Sequence, residues 1–477
     1  MKNIVTRTEN AFPPSGCAAF RKFLTGAAVC ALAFPVFAQE TNDYYWRGGT
    51  WNTPGDTLLF NVANNWAEDA GGQTLHQTPP SETSNVFFDW QNLSQSSTGH
   101  ARVNIYQRSE TVNSINASVA AEFHIQSGHF LNVLSDWNSR VSSDYKYAVD
   151  GAKGYDKALR IAADTLNFLT IGGDMTLSTD KYFSARIRLG SAGAGSGFSM
   201  SVGGALNFVK NGADTDGYHA FDMAAIDSTR AGKLSLNLGG LRSSGKAVYM
   251  TTGVASSTDI LFSDNSSGAF AGGSFEGVFA ADSGVSSQLD ITMNGSGRQE
   301  MTIYKASNGS LHGFENDLDG KADMSIGNLT VNNGEFVMNT EVAVENLYLS
   351  GGRLKFSSAE KVGGMTIDGG TLLFGGTINV GDLTVAAYSA DMVFSAGDLA
   401  AHEITVFEFD YLTGDFDANS VFSAYNEFGQ ELGGRFELTG EMGGSGSLVY
   451  VVPEPAAVAA FIGAAALMFA LRRGGRR

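Results

Sequence analysis

Residue types that carry chemistry are spread thinly along this 477-residue sequence. Of the seven histidines, His124 and His129 lie closest together, and five residues across a glycine turn is not a zinc-ligand spacing. No Gly-x-Ser-x-Gly nucleophile elbow stands between a predicted strand and a helix. The glycine-rich segment 193–197 lacks the Lys-Ser or Lys-Thr pair of a phosphate-binding loop. We therefore predict a protein that is not an enzyme, with no metal or cofactor site.

Two aspartate-rich segments leave a weak calcium site open. They read Asp-Thr-Asp-Gly at 214–217 and Asp-Leu-Asp-Gly at 317–320, the second followed by Asp323. Alternating carboxylates before a glycine resemble calcium-binding loops, but the full EF-hand spacing and its distal glutamate are missing. Solvated acidic turns are the alternative interpretation.

Three tryptophans near the N-terminus could contact a glycan. Trp46, Trp51 and Trp66 carry flat aromatic faces on which a sugar could stack. The alternative is a buried aromatic cap that closes one end of the fold. A polysaccharide-cleaving β-helix would need clustered carboxylates, and no Asp-Asp or Gly-His-Gly signature occurs. A carbohydrate-active or glycan-binding protein stays the second hypothesis.

A repeat of constant period positions these residues. Between residues 326 and 394, apolar side chains recur every 18 residues in four columns, with Asn-Gly or Gly-Gly between the third and fourth. Within each unit the apolar positions alternate, as in a half-buried strand. The columns are Ile326, Val344, Val362 and Val380; Leu329, Leu347, Met365 and Leu383; Val331, Leu349, Ile367 and Val385; and Met338, Phe356, Phe374 and Met392.

The period of 18 predicts a parallel β-helix. Eighteen extended residues cover about 59 Å, enough for one coil with three short sides. Related segments lie upstream at 123–125, 169–173, 200–204 and 236–240, and the last two are 36 residues apart, twice the period. The spacing there is looser, and we expect loops to interrupt the coils. An antiparallel β-sandwich with repeated hairpins is the alternative.

Proline and cysteine usage agree with continuous strand pairing in an exported chain. No proline lies between Pro80 and Pro453, and proline is excluded from paired central strands. Cys17 and Cys30 both fall in the export signal described below. The mature body would then contain no disulfide and no thiolate metal site.

The body of the chain is strongly acidic. Each end (residues 1–38 and 453–477) holds four basic residues and one acidic residue, so totals of 31 and 49 leave 23 basic and 47 acidic residues, a net charge of −24. Such a body repels nucleic acid and anionic lipid.

The N-terminus has the layout of a secretory signal peptide. Arg21-Lys22 precedes the apolar run 23–37, and Ala38 ends a small-residue cleavage motif. We expect cleavage after Ala38 by the export machinery. A retained membrane anchor is the alternative.

The C-terminus has three parts. Pro453, Glu454 and Pro455 are followed by the apolar run 456–471 and by arginines. This arrangement resembles the PEP-CTERM sorting signal of Gram-negative bacteria. The resemblance implies a membrane helix with a cytoplasmic basic end, and processing at Pro-Glu-Pro by an exosortase-like peptidase. An ordinary short tail anchor is the alternative.

The N-terminal region contains three aromatic motifs: Trp46-Arg47-Gly48-Gly49-Thr50-Trp51-Asn52, Asn65-Trp66 and Asn85-Val86-Phe87-Phe88-Asp89. They are similar to the start of bacterial proteins that carry autotransporter-associated β-strand repeats. It implies that a passenger-like β-helix follows. The aromatic segment 404–452 is expected to cap the other end, with Phe407, Phe409, Tyr411, Phe422, Phe428 and Phe436.

These observations predict an all-β chain: a parallel β-helix with 18-residue coils, capped ends and a C-terminal hydrophobic helix. We expect a signal peptide at 1–38, an aromatic cap region at 39–100, the repeat body at 101–400, a β cap at 401–452 and the sorting signal with its transmembrane segment at 453–477. The function expected is that of an exported structural or adhesin-like protein of the cell envelope or matrix, with surface glycans as one class of partner.

Overall fold

A computed structural model shows a chain built almost entirely of β-strands. It divides into two compact units, Met1–Glu40 and Thr41–Arg477, and the first unit lies outside the described residues. The structure describes residues 42–47, 58–89, 101–119, 121–126, 128–141, 157–163, 168–179, 184–191, 198–210, 219–225, 233–244, 248–252, 257–284, 287–308, 320–386, 389–414, 416–440 and 442–453.

Thirty-four strands account for most of the described chain. In chain order they are β1 Asn42–Trp46, β2 Trp66–Ala67, β3 Ser84–Phe88, β4 Ala101–Ile105, β5 Glu110–Val112, β6 Ser114–Ala117, β7 Ala121–Ile125, β8 Phe130–Val133, β9 Trp137–Val141, β10 Lys157–Ala163, β11 Phe168–Ile171, β12 Met175–Thr179, β13 Ser184–Ser191, β14 Phe198–Lys210, β15 His219–Ala225, β16 Lys233–Ser244, β17 Val248–Thr252, β18 Ser257–Phe262, β19 Gly273–Asp282, β20 Gln288–Met293, β21 Arg298–Tyr304, β22 Lys321–Asp323, β23 Ser325–Val331, β24 Glu335–Thr340, β25 Val344–Leu349, β26 Arg353–Ser358, β27 Val362–Ile367, β28 Thr371–Leu373, β29 Ile378–Val385, β30 Ala390–Phe394, β31 Glu403–Thr413, β32 Phe422–Asn426, β33 Arg435–Thr439 and β34 Gly446–Val451.

Helical structure is minor in the described ranges. It consists of the short α-helix α1 (Ala418–Val421) and of 3-10 turns at Ala63–Asn65, Ala306–Asn308 and Asp398–Ala400. Among the described residues, no helix has the length and hydrophobicity that a membrane crossing requires. The predicted hydrophobic helix at the C-terminus and the signal peptide lie outside the described residues.

The strands form two sheets in which most neighbours run parallel. The larger sheet has 20 strands and the smaller has 14, and the chain passes repeatedly from one to the other. The prediction of an all-β chain is confirmed.

In three of the predicted apolar columns, successive residues are paired neighbours in the larger sheet. Leu329 pairs with Leu347, Leu347 with Met365, and Met365 with Leu383, all in parallel register. The columns that begin at Ile326 and Val331 pair in the same way. Stacked strands lie about 4.8 Å apart, so these side chains are in direct contact. The 18-residue period is therefore the distance along the chain between paired strands.

The same column continues far upstream of the regular repeat. Each member pairs with the next, and from Leu131 to Leu412 every member is buried. The column runs Leu131, Leu169, Met200, Leu236, Ile260, Ile291, Leu329, Leu347, Met365, Leu383 and Leu412. Burying a Leu or Ile side chain stabilises a fold by about 1.5–3 kcal/mol, so this apolar column is a main source of stability.

The upstream repeat units are longer than predicted. Met200 pairs directly with Leu236, so the 36 residues between them form one unit and not two. The additional length is not a further strand, because β15 of the smaller sheet lies between β14 and β16 as β24 lies between β23 and β25. Part of it is the length of β14, which has 13 residues against 7 in β23. The inward apolar position is the same in every unit, while the length of the connecting chain varies.

One of the four predicted columns shifts at its last member. Met338 pairs with Phe356 as expected, but Met392 pairs with Leu372 and not with Phe374. Thr371 lies four residues after Ile367, whereas their partners Asp391 and Val385 are six residues apart, so the path from β29 to β30 has two additional residues. A shift of two residues keeps the same face inward, so Met392 stays buried with a different neighbour.

Glycine is required at the turn between the two sheets. Gly334 has φ +61°, and a Cβ atom there would lie 2.2 Å from the carbonyl oxygen of Gly295. Only glycine combines this backbone conformation with such a close approach. The turn residues predicted from Asn-Gly and Gly-Gly therefore set the spacing between stacked turns.

Aromatic side chains fill the N-terminal end of the second unit. Strand β1 pairs antiparallel with β2 and parallel with β3. Trp66 lies 4.9 Å from Trp46 and 5.0 Å from Phe60, both in edge-to-face contact. Such contacts stabilise beyond the burial of apolar area.

The other end changes from parallel to antiparallel pairing. Strand β34 runs antiparallel to both β31 and β33, and Tyr450 stacks on Phe394 at 4.8 Å. Four of the six predicted aromatics are buried: Phe407, Phe409, Phe422 and Phe436. The other two are exposed, because Tyr411 points outward from β31 and Phe428 lies in a turn.

Candidate functional site

The tryptophans predicted to contact glycans are in the interior. Trp46 and Trp66 are fully buried, and the Trp66 indole donates a hydrogen bond to the Phe60 carbonyl at 2.7 Å. With no exposed ring face, neither can stack on a sugar, so the predicted glycan contact does not fit Trp46 and Trp66. Trp51 lies outside the described residues.

The predicted sorting motif begins where the described chain ends. Val452 donates its backbone N–H to the His402 carbonyl at 2.9 Å, so the chain is tied to the body just before Pro453. Glu454, Pro455 and the cleavage residue Ala38 lie outside the described residues.

His124 lies on the smaller sheet between a carboxylate and a guanidinium group. His124 contacts the buried carboxylate of Glu122 through Nε2, and its Nδ1 lies 3.4 Å from a guanidinium nitrogen of Arg102. Because a guanidinium only donates, Nδ1 is the acceptor and Nε2 carries the proton given to Glu122. Both ring nitrogens are used inside the cluster, so His124 has no free lone pair with which to act as a base.

Two other acid–base groups are perturbed by their surroundings. Burial raises the pKa of Glu110, an effect that the neighbouring Arg108 at 3.0 Å opposes. Burial and the hydrogen-bonded carboxylate of Glu276 raise the pKa of Tyr304 above its usual range. Both groups therefore hold their protons more tightly than in water.

The described aspartates do not assemble a cation site. Asp323 accepts the backbone N–H of Ala306 at 2.5 Å, which places it in a structural turn. Segment 214–217 and residues 317–319 lie outside the described residues. In the described part of the chain, no three acidic, histidine or cysteine side chains are grouped as metal ligands would be.

A polar cleft of about 700 Å³ opens near the last strands of the larger sheet. Its charges are largely matched: Lys361 is paired with Asp410, and Lys305 with Glu360 beside it. The hydrogen bond with Glu360 raises the pKa of Lys305. The polar lining includes Glu360, Lys361, Asn379, Glu408, Asp410 and Ser447.

The outer face of the larger sheet carries a second continuous column, which we call the hydroxyl stripe. Its twelve members pair in register from β5 to β31, and none is charged. Nine carry a hydroxyl group, and none is buried. The members are Thr111, Asn132, Thr170, Ser201, Asn237, Leu261, Thr292, Thr330, Tyr348, Thr366, Thr384 and Thr413.

The outer face of the smaller sheet contrasts with the hydroxyl stripe. Glu335 lies 3.5 Å from Arg298 and 3.3 Å from Arg353, forming a ladder of ion pairs across three strands. The hydroxyl stripe has no charged member, whereas this ladder on the smaller sheet is ionic. Charged residues of the larger sheet, such as the ion pair of Lys233 with Asp259, lie in other columns.

Sequence reasoning followed the inward columns and missed the hydroxyl stripe. Thr330, Tyr348, Thr366 and Thr384 recur with the same period of 18 as the apolar columns. The hydroxyl stripe could therefore have been predicted here from the outward positions of the repeat.

Comparison of the chain with known protein families, curated proteins and solved structures finds no match. Support for a function therefore lies in the surfaces of the chain itself.

Proposed function

We propose that this chain is an exported structural or adhesin-like protein of the cell envelope, built as a parallel β-solenoid. The observation that carries the proposal is the apolar column from Leu131 to Leu412, in which each strand pairs in register with the next. A stack of this kind presents long, regular outer faces and is extended by adding units.

The solenoid architecture explains the alternation between sheets. Each unit contributes strands first to the larger sheet and then to the smaller one, and the following unit repeats the path. Antiparallel strand β34 and the buried aromatics at both ends act as caps that cover the open edges. The proposal needs no catalytic residue, because its function lies in surfaces.

The two termini supply the proposed address. A signal peptide at 1–38 directs export, and the C-terminal signal that resembles PEP-CTERM directs sorting by an exosortase-like peptidase at Pro453-Glu454-Pro455. Before processing, the apolar run 456–471 would hold the chain in the membrane with the body outside.

The test of the proposed function follows the full chain in a Gram-negative host that carries an exosortase. We expect intact cells to expose the body to added protease, and mass spectrometry to find the surface form without residues 1–38 and without Arg477. Replacing Pro-Glu-Pro with Ala-Ala-Ala should leave the tail in place. A body that stays in the cytoplasm with residues 1–38 attached contradicts the proposal.

The polar cleft favours a second candidate, a carbohydrate-active solenoid. Carboxylates of Glu360 and Glu408 beside Lys361 are groups that could bind or cleave a polysaccharide. Reducing-sugar release from a polysaccharide panel by wild type, but not by Glu408→Gln, would support this candidate. No release by the wild-type chain would leave the structural role.

A further inference from the structure

We infer that the hydroxyl stripe binds an uncharged polysaccharide chain laid across the stacked strands of the larger sheet. The inference rests on the proposed function only in that the body must be exported to meet such a polymer. It assigns a partner to a face that the sequence did not identify.

Charge selects the class of partner. The body between residues 39 and 452 carries a net charge of −24, and it repels acidic polymers. A cationic polymer would bind carboxylates outside the stripe, including Asp290 and Asp382 on the same strands, because the stripe itself has no charged member. An uncharged stripe on an acidic protein therefore favours a neutral polymer over a charged one.

Four threonine hydroxyls of the hydroxyl stripe are unused within the described part of the chain, although Asn237 accepts a hydrogen bond from Ser263 at 2.6 Å. The hydroxyls of Thr292, Thr330, Thr366 and Thr384 make no side-chain hydrogen bond with any described residue. The neighbouring turn column differs, because Asn332 donates to Asn294 at 2.8 Å and accepts from Ser350. The threonine hydroxyls are thus free to bond to the hydroxyl groups of a sugar.

Spacing and stiffness fit a repeating ligand. Paired strands place successive hydroxyls about 4.8 Å apart along the sheet. Threonine is branched at Cβ and has few rotamers, so little side-chain entropy is lost on binding. Tyr348, 38 % exposed and between Thr330 and Thr366, adds an aromatic face on which a sugar ring can stack.

A protein partner fits this face less well. The cores of protein interfaces are apolar, whereas the stripe offers Leu261 as its one aliphatic member. Association with a second copy would also bring two bodies of net charge −24 together. Sedimentation distinguishes self-association from polysaccharide binding.

The first experiment measures binding of the full-length chain to soluble hydroxyethyl cellulose and to polygalacturonate. We expect wild type to bind the neutral polymer with an affinity that barely changes with salt. Thr366→Glu with Thr384→Glu places two carboxylates on neighbouring strands of the stripe and should weaken binding about tenfold or more. Asn339→Glu with Ser357→Glu places the same pair on neighbouring strands of the smaller sheet and should leave binding unchanged.

A second pair of variants isolates the hydroxyl groups. Thr366→Val with Thr384→Val keeps the branched shape and removes two hydroxyls, and should weaken binding about tenfold, as expected for two hydrogen bonds of ordinary strength. Thr302→Val on the smaller sheet should have no effect. Thermal melting and sedimentation of each variant confirm folding and oligomeric state.

Three results overturn the inference. They are no binding to the neutral polymer, equal binding by wild type and the Thr366/Thr384 variants, and a variant effect confined to sedimentation, which would assign the stripe to self-association. Any of these with an exported, processed body leaves the proposed function standing. A cytoplasmic body contradicts the proposed function whatever the binding result.

Discussion

Glu110 is a carboxylate at an inward position of the larger sheet. Its partner across the ladder is Leu131, the first apolar member of the buried column, and its charge meets Arg108 at 3.0 Å. Burial raises the pKa of this group, so the folded chain holds the proton more tightly than the unfolded chain. Protonated Glu110 therefore contributes to the free energy of unfolding below the ordinary glutamate pKa. This contribution is lost as pH rises from the ordinary pKa to the raised one.

Replacing Glu110 with glutamine should stabilise the protein at neutral pH. We expect Glu110→Gln to melt a few degrees above wild type at pH 7, with the difference vanishing below pH about 4, where both forms are uncharged. Glu437→Gln removes a carboxylate from a similar Arg-x-Glu pair on an exposed strand and is the matched control. A lower melting temperature for Glu110→Gln at pH 7 would show that the ion pair with Arg108 outweighs burial.

Gly240 shows how closely the turns stack. A Cβ atom at this position would lie 2.3 Å from the carbonyl oxygen and 2.7 Å from the amide nitrogen of Gly272. We expect Gly240→Ala to lower the free energy of unfolding by about 2 kcal/mol, because backbone and not a flexible side chain must move. Gly433→Ala, with no atom within 4 Å of the new Cβ, should change it by less than about 0.5 kcal/mol in the same urea titration.

At the scale of the element, each strand has an inward side that stabilises and an outward side that is available for binding. Leu347 is fully buried between Leu329 and Met365, while its neighbour Tyr348 is 38 % exposed. We expect Leu347→Ala to cost about 3 kcal/mol through lost burial and a residual cavity. Urea unfolding measures this cost.

Tyr348→Thr is the matched control for that substitution. It gives the position the side chain of its neighbours Thr330 and Thr366, and should change the free energy of unfolding by no more than about 0.5 kcal/mol. Equal destabilisation by the two variants would contradict the assignment of inward and outward faces.

At the scale of the whole molecule, net charge opposes compaction. The body carries −24, and self-repulsion of this kind is screened by salt. The melting temperature should rise by several degrees as sodium chloride increases from about 10 mM to about 0.3 M, as the screening length falls below about 10 Å. A melting temperature that stays constant or falls would indicate that ion pairs such as Glu335 with Arg298 and Arg353 dominate.

Much of the repeat could be predicted because its signal is local and periodic. Leu329, Leu347, Met365 and Leu383 are equally spaced in the sequence and are neighbours in the sheet, since each unit there has the same length. Upstream the units are longer than 18 residues, and β14 alone has 13 residues, yet Met200 still pairs directly with Leu236. The shift at Met392 came from two additional residues in one connection, which the apolar pattern does not reveal.

The all-β class, the period of 18 and the inward columns follow from the sequence alone, because alternation and regular spacing are properties of the chain. Which residues lie on the surface depends on the folded arrangement. It buried Trp46 and Trp66 in an aromatic cluster, and it aligned twelve residues of widely different spacing into one hydroxyl stripe. A surface column depends on which strands pair, and where units differ in length that pairing is set by packing across the whole stack.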